Sequence, residues 1–207
     1  MREFEKDKSR DIGDRYIHSV IMQADMDIII TVNPDLAELV HDASWIMVDT
    51  TFAVVHGTTN EWKLLIWLKG LDKSEPLLYS MFGEIKIYLF EGTVIGRVWS
   101  NKATREAFVV VWNGVFEAIK SITGKSLNFK VFSKKSSLLG AIGDSEGAQA
   151  QGLGDVIILR QMNTPQVNGV PTVTVVSILL FIWKTCLVHF KRYIVFHSSN
   201  GTVSHTH

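Results

Sequence analysis

Cysteine is nearly absent: Cys186 is the only one among 207 residues. A single thiol forms no intrachain disulfide, which excludes a cystine-stapled secreted scaffold and fits a reducing compartment. A surplus of either charge is absent too, because 21 Lys and Arg balance 21 Asp and Glu. Global attraction to nucleic acid therefore has no basis, and such a partner requires a local patch. The opening stretch Met1-Arg2-Glu3-Phe4-Glu5-Lys6-Asp7-Lys8 is charged with no apolar core behind it, unlike a secretory signal. A nuclear or cytoplasmic location is expected. Long apolar runs are also scarce. Val173 to Trp183 meets Lys184 before reaching the roughly 20 residues of a membrane span. That run reads as a buried strand or helix, with a membrane anchor over 172–188 as the alternative. Gly147, Gly152 and Gly154 match neither a phosphate loop nor a dinucleotide fingerprint, and no G-x-S-x-G element occurs. No small-molecule cofactor is expected.

What is present is globular: 46% of residues are hydrophobic and 20% charged. Tyr16–Ile21 and Asp27–Val32 read as strands around a turn near Asp25, and Asn33-Pro34 ends the second. Asp35 to His41 has helical spacing. Three apolar runs follow: Trp45 to Asp49, Phe52 to Gly57 and Trp62 to Leu68, rich in β-branched and aromatic residues. The spacing of Phe108, Val111, Trp112, Val115, Phe116, Ile119 and Ile122 predicts one helix over 101–123. Ser100 or Asn101 is its expected cap and Gly124 its stop. Leu127 to Phe132 alternates as a strand, and Ser136 to Ile142 suggests a short helix. Residues 143–155 are small, polar and glycine-rich.

The chemistry-bearing residues are mostly carboxylates. Asp49 closes a strand, a position suited to a metal ligand or general base, although aspartate also caps turns there. Asp144, Glu146 and Asp155 follow a later strand and helix. Cys186 and His189 form a C-x-x-H pair, half of a zinc site. Lys130, Lys134, Lys135, Lys191 and Arg192 are candidate contacts to a nucleic-acid backbone or simply a solvated charged face. Strand-strand-strand-helix-strand-helix, with acids ending the first and fourth strands, is the plan of a ribonuclease-H-like nuclease. The fold class expected is α/β: a ribonuclease-H-like mixed sheet with flanking helices, incomplete at its end.

Several elements resemble Mutator-like (MULE) transposases. They are Asp49-Thr50-Thr51-Phe52, Asn60-Glu61-Trp62 to Trp67, Thr93-Val94-Ile95-Gly96-Arg97, Thr104-Arg105-Glu106-Ala107-Phe108 and Trp112-Asn113-Gly114. Gly147 to Gly154 and Thr185 to Arg192 complete the set. The resemblance spans about Tyr16 to Arg192 and breaks over 74–92, which reads as an insertion. It divides the chain into a lead-in (1–43), a core (44–192) and a tail (193–207). It implies a triad of acids holding Mg2+ or Mn2+, with DNA cleavage and strand transfer. Asp49 matches the first acid. The second belongs at the end of Leu127–Phe132, where Ser133-Lys134-Lys135 stand, and Asp144 is the nearest carboxylate beyond. The third, a glutamate on a helix after the C-x-x-H element, has no match. The expectation is a fragment of a DDE transposase with little or no strand-transfer activity. The alternatives are a non-catalytic nucleic-acid-binding remnant and a small membrane-anchored protein.

Overall fold

The computed structural model describes residues 2–23, 25–51, 59–68, 92–144, 147–162 and 174–185. Its strands are β1 (Ile17–Gln23), β2 (Met26–Val32), β3 (Ala43–Thr51), β4 (Asn60–Leu68), β5 (Thr93–Ser100), β6 (Gly140–Gly143) and β7 (Trp183–Thr185). They form one sheet in the order β1-β2-β5-β4-β3-β6-β7. Pairing is antiparallel from β1 through β3, and parallel from β3 through β6 to β7. With flanking helices α1 (Arg2–Lys8), α2 (Pro34–Ala37), α3 (Arg105–Thr123), α4 (Gly147–Met162) and α5 (Val175–Ile182), this is a mixed α/β fold. The five strands β5-β4-β3-β6-β7 follow the ribonuclease-H-like plan, and the β1–β2 hairpin widens the sheet at the β5 edge.

Residues opposite each other on paired strands share a sheet face. Ile30, Val98 and Trp62 form such a row, and so do Ile46 and Ile66. All five are buried. Helix α3 covers this face, with Phe108 stacked on Trp62 at 4.6 Å between ring centroids. A side chain on Gly114 would strike Ile30. Helix α4 packs on α3 so closely that a Cβ on Gly152 would lie 2.5 Å from Phe108 Cβ.

Four local expectations are corrected. Helix α3 starts at Arg105, not Asn101, and Thr104 is its cap, accepting from the Ala107 N–H. Ser100 and Asn101 are used elsewhere: Ser100 Oγ bonds within its own turn at Lys102, and Asn101 accepts from the Asp27 N–H. The expected stop holds, since Gly124 adopts φ 69°. Leu127–Phe132 is not a strand. Its backbone closes turns at Phe129, onto which the Phe132 and Ser133 amides bond. Ser136–Ile142 is not a helix. Gly140–Gly143 is the fourth core strand, paired in parallel with β3 and β7, and a side chain at Gly140 would meet the Ile182 carbonyl and Trp45. The glycine-rich stretch from Gly147 is helix α4.

The hairpin turns near Asp25 as expected, and Asn33 caps α2 by accepting from the Asp35 N–H. The described part of the apolar 172–188 run, residues 174–185, divides into α5, opened by a Thr174–Ser177 capping box, and β7. Among the described residues no helix is long and apolar enough to cross a membrane. The Phe52–Gly57 run, residues 74–91 of the inserted stretch and the 193–207 tail lie outside the described residues.

Candidate functional site

Strand β3 carries Asp49 toward its C-terminal end. The parallel ladder with β6 pairs Trp45 with Gly140, Ile46 with Ala141 and Met47 with Ile142. Two further steps along each strand bring Asp49 level with Asp144, and neighbouring strands lie about 4.8 Å apart. A hydrogen bond fixes the approach: the Thr50 N–H donates to Asp144 Oδ2 at 3.1 Å. Asp144 is buried and Asp49 half-buried. Helix α4 begins at Gly147, so the positive end of its dipole lies just beyond the same strand end. The sheet thus brings two carboxylates toward the C-terminal ends of the parallel pair β3 and β6.

Other candidates fall elsewhere. Asp155, on α4, is clamped by Arg105 of α3 through two 2.6 Å hydrogen bonds. That carboxylate's hydrogen bonds raise the Arg105 pKa above its usual value. Asp155 is a helix–helix tie and not a member of the acid pair. Lys130, Lys134 and Lys135 are exposed on the loop that enters β6. This loop is anchored at the opposite end of β3, where the Leu139 N–H donates to the Ser44 carbonyl and Ser137 Oγ to the Ala43 carbonyl. From Ser44 to Asp49 the strand rises about 16 Å. Glu146, Cys186, His189, Lys191 and Arg192 lie outside the described residues. Among the described residues no group of three His, Cys, Asp or Glu side chains converges as a metal cage.

The cations near Asp49 come from strands. On the sheet face away from α3, cross-strand pairing sets Asp49 beside Lys63, Lys63 beside Arg97 and Arg97 beside Thr31. Arg97 Nη1 donates to Glu61 Oε1 at 2.5 Å; the arginine side chain is 42% exposed and the glutamate 5%. Lys63 makes no ion pair among the described residues. Neither residue was singled out from sequence. The signal available was a lone cation inside each apolar strand, Trp62-Lys63-Leu64 and Gly96-Arg97-Val98, whose partner across the sheet only register reveals.

Behind the acids, the Gln149 side chain is fully buried, and neither amide atom has a hydrogen-bond partner among the described residues. A side chain at Gly143, the residue before Asp144, would strike the Gln149 side-chain oxygen. The backbone there is tied by Trp112, whose Nε1–H donates to the Gln149 main-chain carbonyl at 3.2 Å.

No protein-family model, curated protein or solved structure matches the chain. The site is therefore read from its own chemistry. Paired carboxylates are hard oxygen donors that suit Mg2+ or Mn2+, which bind through one or two carboxylates and complete their shell with water and phosphate oxygens.

Proposed function

We propose that the chain is the ribonuclease-H-like core of a DDE transposase of the Mutator-like type. In this reading Asp49 and Asp144 hold a divalent cation at the end of the β3–β6 pair. A single observation supports the reading: Asp144, which follows β6, bonds through its carboxylate to the amide of Thr50, the residue after Asp49 on the parallel-paired strand β3. When bound, such an ion polarises a phosphodiester and stabilises the charge that develops on the attacked phosphate. Asp49 is the more accessible ligand. Asp144 is oriented by the Thr50 amide, which engages one oxygen and restricts how the carboxylate turns. Two acids bind a cation weakly, whereas phosphodiester exchange between two metals requires a larger fixed cluster. The chain as given is accordingly proposed to bind metal and DNA without catalysing strand transfer.

Thermal melting followed by tryptophan fluorescence tests the metal site without relying on activity. At Mn2+ about tenfold above the dissociation constant, linkage stabilises the folded state by about 1.4 kcal/mol. For a chain of this size that raises Tm by about 3–6 °C. Asp49→Asn is expected to abolish the shift while melting cooperatively. An equal shift in wild type and variant, or none in either, would refute the assignment of Asp49 as a ligand.

A further inference from the structure

The sheet face that carries Asp49 offers more than the acid. Its next two strands present Lys63 and Arg97 in one transverse row. The row above pairs Glu61 with Trp99 and Trp99 with Ile29. Trp99 is half-buried and Ile29 exposed. The ion pair in this patch is asymmetric. Its anion, Glu61, is buried, and its cation, Arg97, faces solvent. Arg97 commits one nitrogen to Glu61, and that bond restrains the guanidinium. Planar, preset guanidinium groups suit phosphate oxygens better than flexible ammonium groups do. Lys63, with no ionic partner among the described residues, adds a second positive charge between Arg97 and the acid.

We propose that this face is a binding track for an unpaired DNA strand. Lys63 and Arg97 contact successive phosphates on the side of the sheet that leads away from Asp49, and Trp99 lies under a base. The occupant follows from the chemistry of the patch: cations for a polyanionic backbone and an aromatic ring beside them for a base. A rigid duplex presents no free base face to Trp99. The inference rests on the reading of the acid pair as a nucleic-acid site, and it assigns backbone contact to strand residues near the acids. Lys134 and Lys135, at the opposite end of β3, are left with a solvated role.

The test is fluorescence anisotropy with a labelled mixed-sequence 15-nucleotide single strand, in EDTA, between 50 and 200 mM NaCl. Removing one cation that neutralises a phosphate of a single strand lowers the slope of log K against log salt by about 0.7. Lys63→Ala is expected to lower that slope by about one such step and to weaken binding roughly three- to tenfold at 50 mM. Arg97→Ala strands a buried carboxylate and risks unfolding. The paired change Glu61→Gln with Arg97→Gln avoids this and is expected to act as Lys63→Ala does. Lys134→Ala with Lys135→Ala is expected to leave the slope within experimental error. The proposal is overturned if wild type does not bind the strand, if the Lys63 and Glu61/Arg97 variants bind as wild type, or if only the Lys134/Lys135 variant loses affinity. Equally tight binding of the matching duplex overturns the assignment to an unpaired strand. Because EDTA is present, these outcomes are independent of the Mn2+ shift: a persisting shift with no role for Lys63 sinks the track alone, and the reverse sinks the metal site alone.

Discussion

At the scale of single residues, the least expected feature is Gln149. Its amide sits in a wall otherwise made of Val48, Trp62, Leu64, Val98, Phe108, Val111, Trp112 and Val115, with no hydrogen-bond partner for either atom among the described residues. An unpaired buried amide costs about 1–3 kcal/mol. Gln149→Leu keeps a similar shape and removes the polar atoms, and the Trp112 bond to the backbone carbonyl survives. The variant is expected to gain about 1 kcal/mol in urea unfolding; a loss of similar size would show that the amide finds partners in solution. Histidines give the second residue-scale prediction. Burial lowers the pKa of His18 and of His41 from the usual 6.5. The unfolded chain thus binds protons more readily, so stability is complete above pH 6.5 and declines as pH falls through that value toward the lower folded ones. The melting temperature should drop between about pH 7 and pH 5. His18→Gln, which removes a buried Nε2 without a partner among the described residues, should flatten that decline.

At the scale of elements, legibility depended on whether the signal was local. The hairpin, the body of α3 and its αL glycine were readable because capping, periodicity and β-branching act within a few residues. Strand β6 was not. Gly140-Ala141-Ile142-Gly143 has weak strand propensity and is extended because β3 and β7 hold it on both sides. Once the fourth strand is Gly140–Gly143, the residue that follows it is Asp144 and not Ser133 or the lysines. Helix α4 was hidden for a related reason. Its glycines lower helix propensity but admit close packing, Gly152 under Phe108 and Gly154 against Val175. Gly152→Ala would raise intrinsic helix propensity and still destabilise the protein, because its Cβ meets both the Phe108 side chain and the α3 backbone at 3.0 Å or less. A loss of about 1–3 kcal/mol is expected from this overpacking. A gain instead would mean that α4 can shift away from α3 at little cost.

At the scale of the molecule, the open question is where the folding unit begins. The sequence suggested a lead-in over 1–43 and a core from 44. The sheet joins them. Strand β2 hydrogen-bonds β5 over Ile28 to Val32, and Ile28 and Ile30 belong to the same apolar core as Trp62, Phe108 and Phe116. Ile30 also fills the space that Gly114 leaves on α3. Removing the hairpin would uncover the β5 edge and take away three fully buried aliphatic side chains, Ile28, Ile30 and Val32. Each such side chain is worth about 1.5–3 kcal/mol in burial alone, against a typical total stability of about 5–15 kcal/mol. A chain starting at Asn33 is therefore expected to lose its cooperative melt in far-ultraviolet circular dichroism. It should also lose the Mn2+ response, because Asp49 and Asp144 are brought together by the sheet and not by any local turn. A cooperative melt that kept the metal shift would place the folding unit at β3 onward and make the hairpin an accessory edge. The acids sit two and three strands beyond β5, at β3 and β6, so the two outcomes separate a hairpin that builds the site from one that merely borders the sheet.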